Sequence, residues 1–250
     1  MQRYFIDDLY RENDPIKITG DDYHHIVRVM RMKEEDEVFA VFKDQSSAIT
    51  RIETISSDAV ELSVVQWETS AKELPIKVTI ASGLPKGDKL ELILQKGTEL
   101  GATQFIPFNA DRSIVKWDEK KAKKKVERWE KIVKEAAEQS HRLLIPGVSA
   151  PVSVKQLIQA GTQYDYKLVA YEEDARDGEK GNLHKVLSSI EPGQSVLVAF
   201  GPEGGLSEKE IELLRSEGFL TCGLGPRILR TETAPLYVLS AISYQLELMR

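Results

Sequence analysis

The 250-residue chain holds a single cysteine, Cys222. No intramolecular disulfide is therefore possible, and a thiolate zinc site, which needs several cysteines, is excluded. Such sparing use of cysteine fits a reducing compartment. Long apolar runs are also missing. The longest, such as Val196–Phe200, suit strands and fall far short of a bilayer span. The N-terminal segment turns acidic at Asp7 and Asp8 and lacks the apolar centre of a signal peptide. A cytoplasmic protein is expected. Internal repeats are absent. With 41% hydrophobic and 30% charged residues the composition is that of a folded protein, not of a disordered or collagen-like one.

An excess of positive charge is lacking too. The formal net charge is −6, which argues against a non-specific nucleic-acid coat. Local basic patches remain open. The acidity is concentrated at the front: residues 1–70 hold 8 Lys/Arg against 15 Asp/Glu, and residues 71–250 hold 26 against 25. Residues 116–134 carry 9 Lys/Arg and 4 Asp/Glu. This run reads as a solvated helix face or as a ridge for phosphates, the solvated face being the simpler reading. Several catalytic signatures are also missing: no Ser-His-Asp order, no His-Glu-x-x-His, no Walker A loop and no Gly-x-Gly-x-x-Gly. Cys222, inside an apolar strand, reads as packing. No metal is expected.

What is present falls into two rhythms. In the first 70 residues, Asp21 and Asp22 are placed to cap a short helix carrying Tyr23, Ile26, Val27, Val29 and Met30. Glu37–Lys43, Ile49–Ile55 and Val60–Trp67 read as strands, and their short spacing predicts a small β-barrel over residues 1–70. The polar stretch Thr69–Pro75 reads as a linker. Residues 75–250 then alternate strands (Val78–Ser82, Phe105–Phe108, Leu168–Tyr171, Val196–Phe200, Phe219–Leu224) with helices (Lys86–Leu100, Glu119–His141, Glu208–Glu217, Thr233–Met249). That pattern predicts an α/β fold with a mostly parallel sheet covered on both faces.

Two loops share one grammar. The strand Val196–Phe200 runs into Gly201-Pro-Glu-Gly-Gly205, and Ser207 and Glu210 form a capping box for the next helix. Glycines at a strand's carboxyl end let backbone amides approach a ligand closely. Leu224-Gly-Pro-Arg-Ile-Leu-Arg-Thr-Glu-Thr-Ala-Pro235 repeats the arrangement and crowds Arg227, Arg230 and Glu232 into one loop. Each is a tight structural turn or a ligand loop, and the pair favours a shared pocket. In the first region, Arg28 and Arg31 lie three apart on one helix face beside His24-His25. The arginines suit RNA phosphates. The adjacent histidines point to different faces and make a poor metal site.

Taken in order along the chain, Arg3-Tyr-Phe, His24-His25 with Arg28 and Arg31, Gln95-Lys-Gly-Thr-Glu-Leu-Gly101, Glu138-Gln-Ser-His-Arg142, Gly201-Pro-Glu-Gly-Gly-Leu and Leu224-Gly-Pro-Arg-Ile-Leu-Arg-Thr-Glu-Thr-Ala resemble the RsmE family of 16S rRNA uridine-N3 methyltransferases, within the SPOUT (α/β-knot) superfamily. One departure is Ser140, where that family often has cysteine. The resemblance implies an N-terminal PUA-like barrel for RNA and a C-terminal SPOUT α/β-knot domain with a trefoil knot, a rare exception among folds. It implies S-adenosylmethionine as cofactor, 16S rRNA in the small ribosomal subunit as partner, and a homodimer. The cofactor site would draw on Tyr171, Glu172, Phe200, Gly201, Pro202, Glu203, Gly205, Leu224, Gly225, Ile228, Leu229 and Thr231. RNA contacts would come from Arg3, His25, Arg28, Arg31 and Arg142. For catalysis, Arg230 is assigned to the charge developing on the uridine imide. Glu232 is assigned either as base or as the residue that holds Arg230. Three alternatives stand beside this: a relative that methylates ribose or another base, an RNA-binding assembly module without catalysis, and a nucleotide-phosphate enzyme using the Gly-rich loop, which lacks the Lys/Ser signature it would need. The product nucleoside separates the first, a cofactor titration the second.

Overall fold

The computed structural model describes residues 1–12, 14–69, 72–115, 119–171 and 181–249. The chain divides into two compact units, Met1–Glu73 with Ala137–Leu144, and Leu74–Ala136 with Ile145–Arg250. Among the described residues no helix is long and apolar enough to cross a membrane.

Short alternating strands build the first unit. β1 (Arg3–Phe5), β2 (Ile16–Thr19), β3 (Glu37–Val41), β4 (Ser47–Ile55) and β5 (Ala59–Trp67) form a five-stranded sheet in the order β1-β3-β4-β5-β2. Only β1 and β3 pair in parallel. In β2 the side chains alternate faces, Ile16 and Ile18 buried and Lys17 and Thr19 exposed. They join Tyr4, Val38, Ala40, Ile52, Val60 and Leu62 in one core. The β4–β5 ladder shifts register twice, at Ile49/Thr50 and Ile52/Thr54. Such irregularities bend a strand pair, and the sheet curls over its own core. β1 and β2 were not among the strands expected from the sequence; both are too brief to show a periodic run.

Asp21 and Asp22 do not cap the helix as expected. Thr19 holds the N-cap position without a side-chain bond, and the aspartates lie in the first turn of α1 (Gly20–His24). There their charge still favours the helix dipole. The helix widens into a π turn at His25–Val29, and Arg31 follows with φ of +53°.

The second unit is a parallel sheet between helices. Its strands are β6 (Lys77–Gly83), β7 (Gln104–Asn109), β8 (Gly147–Val148), β9 (Val152–Ser153), β10 (Tyr166–Ala170), β11 (Ser195–Phe200) and β12 (Leu220–Cys222). The order is β12-β10-β11-β6-β7-β8, with β9 also on β7, and every pair is parallel. The helices are α2 (Lys89–Glu99), α3 (Glu119–Gln139, which belongs to this unit as far as Ala136), α4 (Val154–Gly161), α5 (Asn182–Ser189), α6 (Glu208–Ser216) and α7 (Thr233–Ser243), the last continuing as a π turn at Tyr244–Leu248. Alternate strand residues feed two cores. Val78, Ile80, Leu168, Val196 and Val198 face one layer of helices, and Ala81, Ile106, Val169, Leu197 and Ala199 face the other. This two-sided burial explains the near-continuous apolar runs in the sequence.

The helix expected from Lys86 begins instead at Lys89, because the Lys86 amide donates to the Glu203 carboxylate at 3.1 Å rather than entering a helix. The capping box at Ser207 and Glu210 forms, and a second joins Ser153 to Gln156 at the start of α4. α4 and α5, eight residues each, were not anticipated. They have little more than two turns in which to display a helical period.

Candidate functional site

Because the sheet is parallel, its strands end along one edge, and loops there meet helix starts. At the ends of β10, β11 and β12 lies a cavity of about 770 Å³. This falls in the range typical of small-molecule and cofactor sites.

The loop after β11 forms the first wall. Gly205 adopts φ of +70°, a left-handed conformation that suits glycine, and its amide donates to the Pro202 carbonyl at 2.8 Å. Chain packing here leaves no room for side chains. A Cβ on Gly201 would stand 2.9 Å from the Gly205 carbonyl carbon. A Cβ on Gly83, at the end of β6, would stand 2.6 Å from Pro202 Cδ. Arg112 closes the loop from the side by donating to the Gly204 carbonyl at 2.9 Å.

The loop after β12 forms the second wall. Thr231 donates its hydroxyl to the Gly201 carbonyl at 3.4 Å and so links the two loops. The Arg230 carbonyl accepts from the amides of Thr233 and Ala234 and starts α7. This leaves the Arg230 side chain exposed at the cavity, as are Arg227 and Ile228. Neither arginine forms an ion pair among the described residues.

Of the twelve residues expected to hold a cofactor, Tyr171, Phe200, Gly201, Pro202, Glu203, Gly205, Leu224, Gly225, Ile228, Leu229 and Thr231 line this one cavity. Glu172 lies outside the described residues. Arg230 lines the cavity, whereas Glu232 is not among its lining residues and is largely buried, at 16% side-chain exposure. The idea that Glu232 holds Arg230 is corrected: its carboxylate faces Lys89, 3.6 Å away. Its Oε2 is buried and accepts no hydrogen bond among the described residues.

Lys89, Arg112 and Cys222 also line the cavity, and sequence reasoning passed over all three as site residues. Lys89 donates to Glu203 at 2.8 Å. That hydrogen bond, outweighing burial, raises the ammonium above its ordinary pKa, and the charges of Glu203 and Glu232 add to it. Burial pulls the Glu203 carboxyl upward, but the Lys89 bond and the backbone amides of Glu203 and Lys86 prevail and hold it below the usual range. Both groups are therefore charged at neutral pH. The signal for Lys89 and Arg112 was available: they follow the ends of β6 and β7, just as the two glycine loops follow β11 and β12.

The expected RNA contacts separate into two groups. Arg28 and Arg31 are exposed, flanking the exposed Val29 and Met30. His25 takes part in a 2.9 Å hydrogen bond between its Nδ1 and the Tyr4 hydroxyl. Arg3 and Arg142, by contrast, are each only 2% exposed, which corrects their assignment to phosphate. Arg3 pairs with Glu68 at 2.6 Å, donates to Ser47 and stacks over Phe39 at 4.7 Å. Arg142 grips Glu73 through Nε and Nη2, and Glu73 also accepts from the Leu143 amide at 2.8 Å.

A curled sheet unit and a parallel-sheet unit with a cofactor-sized cavity at its carboxyl edge define an RNA-modifying methyltransferase when set beside known proteins. Residues 72–243 match the RNA methyltransferase domain family, and residues 18–65 match the RNA methyltransferase PUA domain. The chain is 55% identical to ribosomal RNA small subunit methyltransferase E of Bacillus subtilis, over 100% of this chain and 99% of that one. Ribosomal RNA small subunit methyltransferase E from Neisseria gonorrhoeae, solved bound to S-adenosyl methionine, superposes with a TM-score of 0.84 at 27% identity, covering 97% of each chain. A Legionella pneumophila chain solved with bound cofactor SAM gives a TM-score of 0.84 at 29% identity, covering 96% of each. The chain belongs to the family of the ribosomal RNA small subunit methyltransferases E.

Proposed function

We propose that the protein methylates 16S rRNA of the small ribosomal subunit at N3 of a uridine, with S-adenosylmethionine as donor. The observation that carries this reading is the cavity at the ends of β10, β11 and β12, in a chain whose family relatives are solved with that cofactor. The lining fits the group. Phe200, Leu224, Ile228 and Leu229 offer apolar surface for an adenine ring, and the crowded glycines let backbone groups reach a polar tail. When bound, the cofactor supplies an activated methyl group on a sulfonium.

The chain's own work is positioning and charge stabilisation. A uridine N3 is an imide N–H and becomes nucleophilic as it loses its proton. Arg230, exposed at the cavity and unpaired among the described residues, stabilises the charge spreading onto the uracil carbonyl oxygens. Glu232 acts through Lys89 rather than on the substrate: with Glu203 it holds the ammonium at the cavity wall. The proton leaves to solvent or to the RNA. Arg28 and Arg31 contact RNA phosphates from the first unit, and the target base is brought out of its stack to reach the cavity.

Three further readings belong with this one. The last helix threads a trefoil knot. Two copies pair through its exposed Tyr237, Tyr244, Leu248 and Met249. The protein works in the cytoplasm, where ribosomes are assembled. The decisive experiment incubates the protein with labelled S-adenosylmethionine and unmethylated small ribosomal subunits, then identifies the product by nucleoside digestion and mass spectrometry. Labelled N3-methyluridine is expected. Any other methylated nucleoside overturns the assignment to uridine N3, and cofactor binding without transfer overturns the choice of substrate.

A further inference from the structure

The carboxyl edge of the parallel sheet does not stop at the first cavity. β6 lies beside β11, and β7 beside β6. Where these two strands end there is a second cavity, of about 480 Å³. Leu84, one residue past β6, and Asn109, the last residue of β7, line it from the sheet, and Lys123, Val126, Glu127 and Glu130 line it from α3. The chain ties the two cavities together at two points. Gly83, immediately before Leu84, packs against Pro202 in the wall of the first cavity. Arg112, three residues past Asn109, lines the first cavity and bonds Gly204.

We propose that the second cavity seats a base flanking the target nucleotide, so that the RNA strand runs along the sheet edge from β11 across β6 and β7 to α3. This rests on the RNA-methylation reading above. The lining has the chemistry of a base pocket. Leu84, Val126 and Pro151 supply an apolar surface for a ring face. The Asn109 amide offers both a donor and an acceptor to a base edge. Glu127 and Glu130 keep a phosphate out of the interior and accept from an exocyclic amino group. Adenine, cytosine and guanine carry such a group and uracil does not, so the pocket selects against uracil. Phosphates are met at the rim. Lys120, Lys123 and Lys124 are exposed along the first turns of α3. Lys125 and Arg128 turn to Glu91, at 3.3 and 2.7 Å. The lysine run is thus divided between RNA and fold.

Two variants test this, a Lys120→Glu/Lys123→Glu/Lys124→Glu triple and an Asn109→Ala/Glu130→Ala double. Binding of unmethylated small ribosomal subunits is measured across a salt series, and S-adenosylmethionine affinity by calorimetry reports on the fold. The triple is expected to weaken subunit binding by at least about tenfold and to flatten the salt slope by about one for each phosphate no longer neutralised. The double is expected to weaken binding about fivefold or more without flattening the salt slope, because it alters the groups that face the base and removes no cation that neutralises a phosphate. Cofactor affinity stays within about twofold in both. Subunit binding by both variants equal to the unaltered protein overturns the proposal, as does a double variant whose loss is purely a change of salt slope. If the unaltered protein transfers no methyl yet both variants lose subunit binding as described, the methylation reading falls and the second cavity stands.

Discussion

In the first unit Arg3 and Arg142 are enclosed by Glu68 and Glu73, whereas in the second Arg227 and Arg230 stand exposed at a cavity wall with no ion pair among the described residues. The same side chain does opposite work. An enclosed guanidinium held by a carboxylate fixes the fold and lies out of a ligand's reach. An exposed one beside a cavity keeps its donors for a partner that arrives later. The difference lies in where the carboxylate is. Glu68 is 65 residues from Arg3, and Glu73 is 69 from Arg142. No local spacing announces either pair.

The comparison breaks most readily at Arg142. Arg142→Met leaves the Glu73 charge poorly solvated and is expected to cost about 3–5 kcal/mol, read from denaturant unfolding. Removing both partners in Arg142→Met/Glu73→Leu recovers most of it. A single-variant loss below about 1 kcal/mol would place Arg142 with the surface arginines. Arg230→Ala is the mirror case. Methyl transfer is expected to fall by about 10²–10³, the usual cost of losing one charge-stabilising donor. The unfolding curve stays within about 0.5 kcal/mol. Turnover near that of the unaltered protein would remove Arg230 from the chemistry.

Acid sharpens the contrast further. Burial pulls the Glu68 carboxyl upward, but hydrogen bonds from Lys72, Ser47 and Arg3 hold it at about 2, against an ordinary 4.5. A carboxyl depressed on folding contributes stability that is complete above its unfolded value. That contribution is lost as pH falls from 4.5 toward 2. Acid titration of Glu68→Gln should lack this component; an unchanged profile would mean that Glu68 is not the group responsible. The smallest effect belongs to Arg28→Ala/Arg31→Ala. Stability should not move by more than about 0.5 kcal/mol, while the salt slope of small-subunit binding drops by about two. An unchanged slope would exclude both arginines from phosphate contact.

These pairs also mark how far the sequence could be read. The longer strands of the second unit, unlike the two-residue β8 and β9, were legible because burial on both faces writes unbroken apolar runs, as in Val196–Phe200. The two glycine loops were legible because glycine at a strand end is written in the residues themselves. The short β1 and β2, and the eight-residue α4 and α5, were not, since two turns or four residues display too little period. Of the site, the loop residues were found by their motifs. Lys89 was missed because its partners Glu203 and Glu232 lie on distant loops, and only the sheet order brings the three together.

That sheet order also has a consequence for the growing chain. β6 is buried along its whole length after Lys77 and has β7 on one side. Its other neighbour, β11, begins only at Ser195. As synthesis proceeds, one edge of β6 therefore waits unpaired while most of the remaining chain is made. An apolar strand with an open edge invites association with other chains. Pairings of such long sequence separation also close slowly. The protein's most exposed moment falls in this interval, when the future centre of its sheet is still an edge.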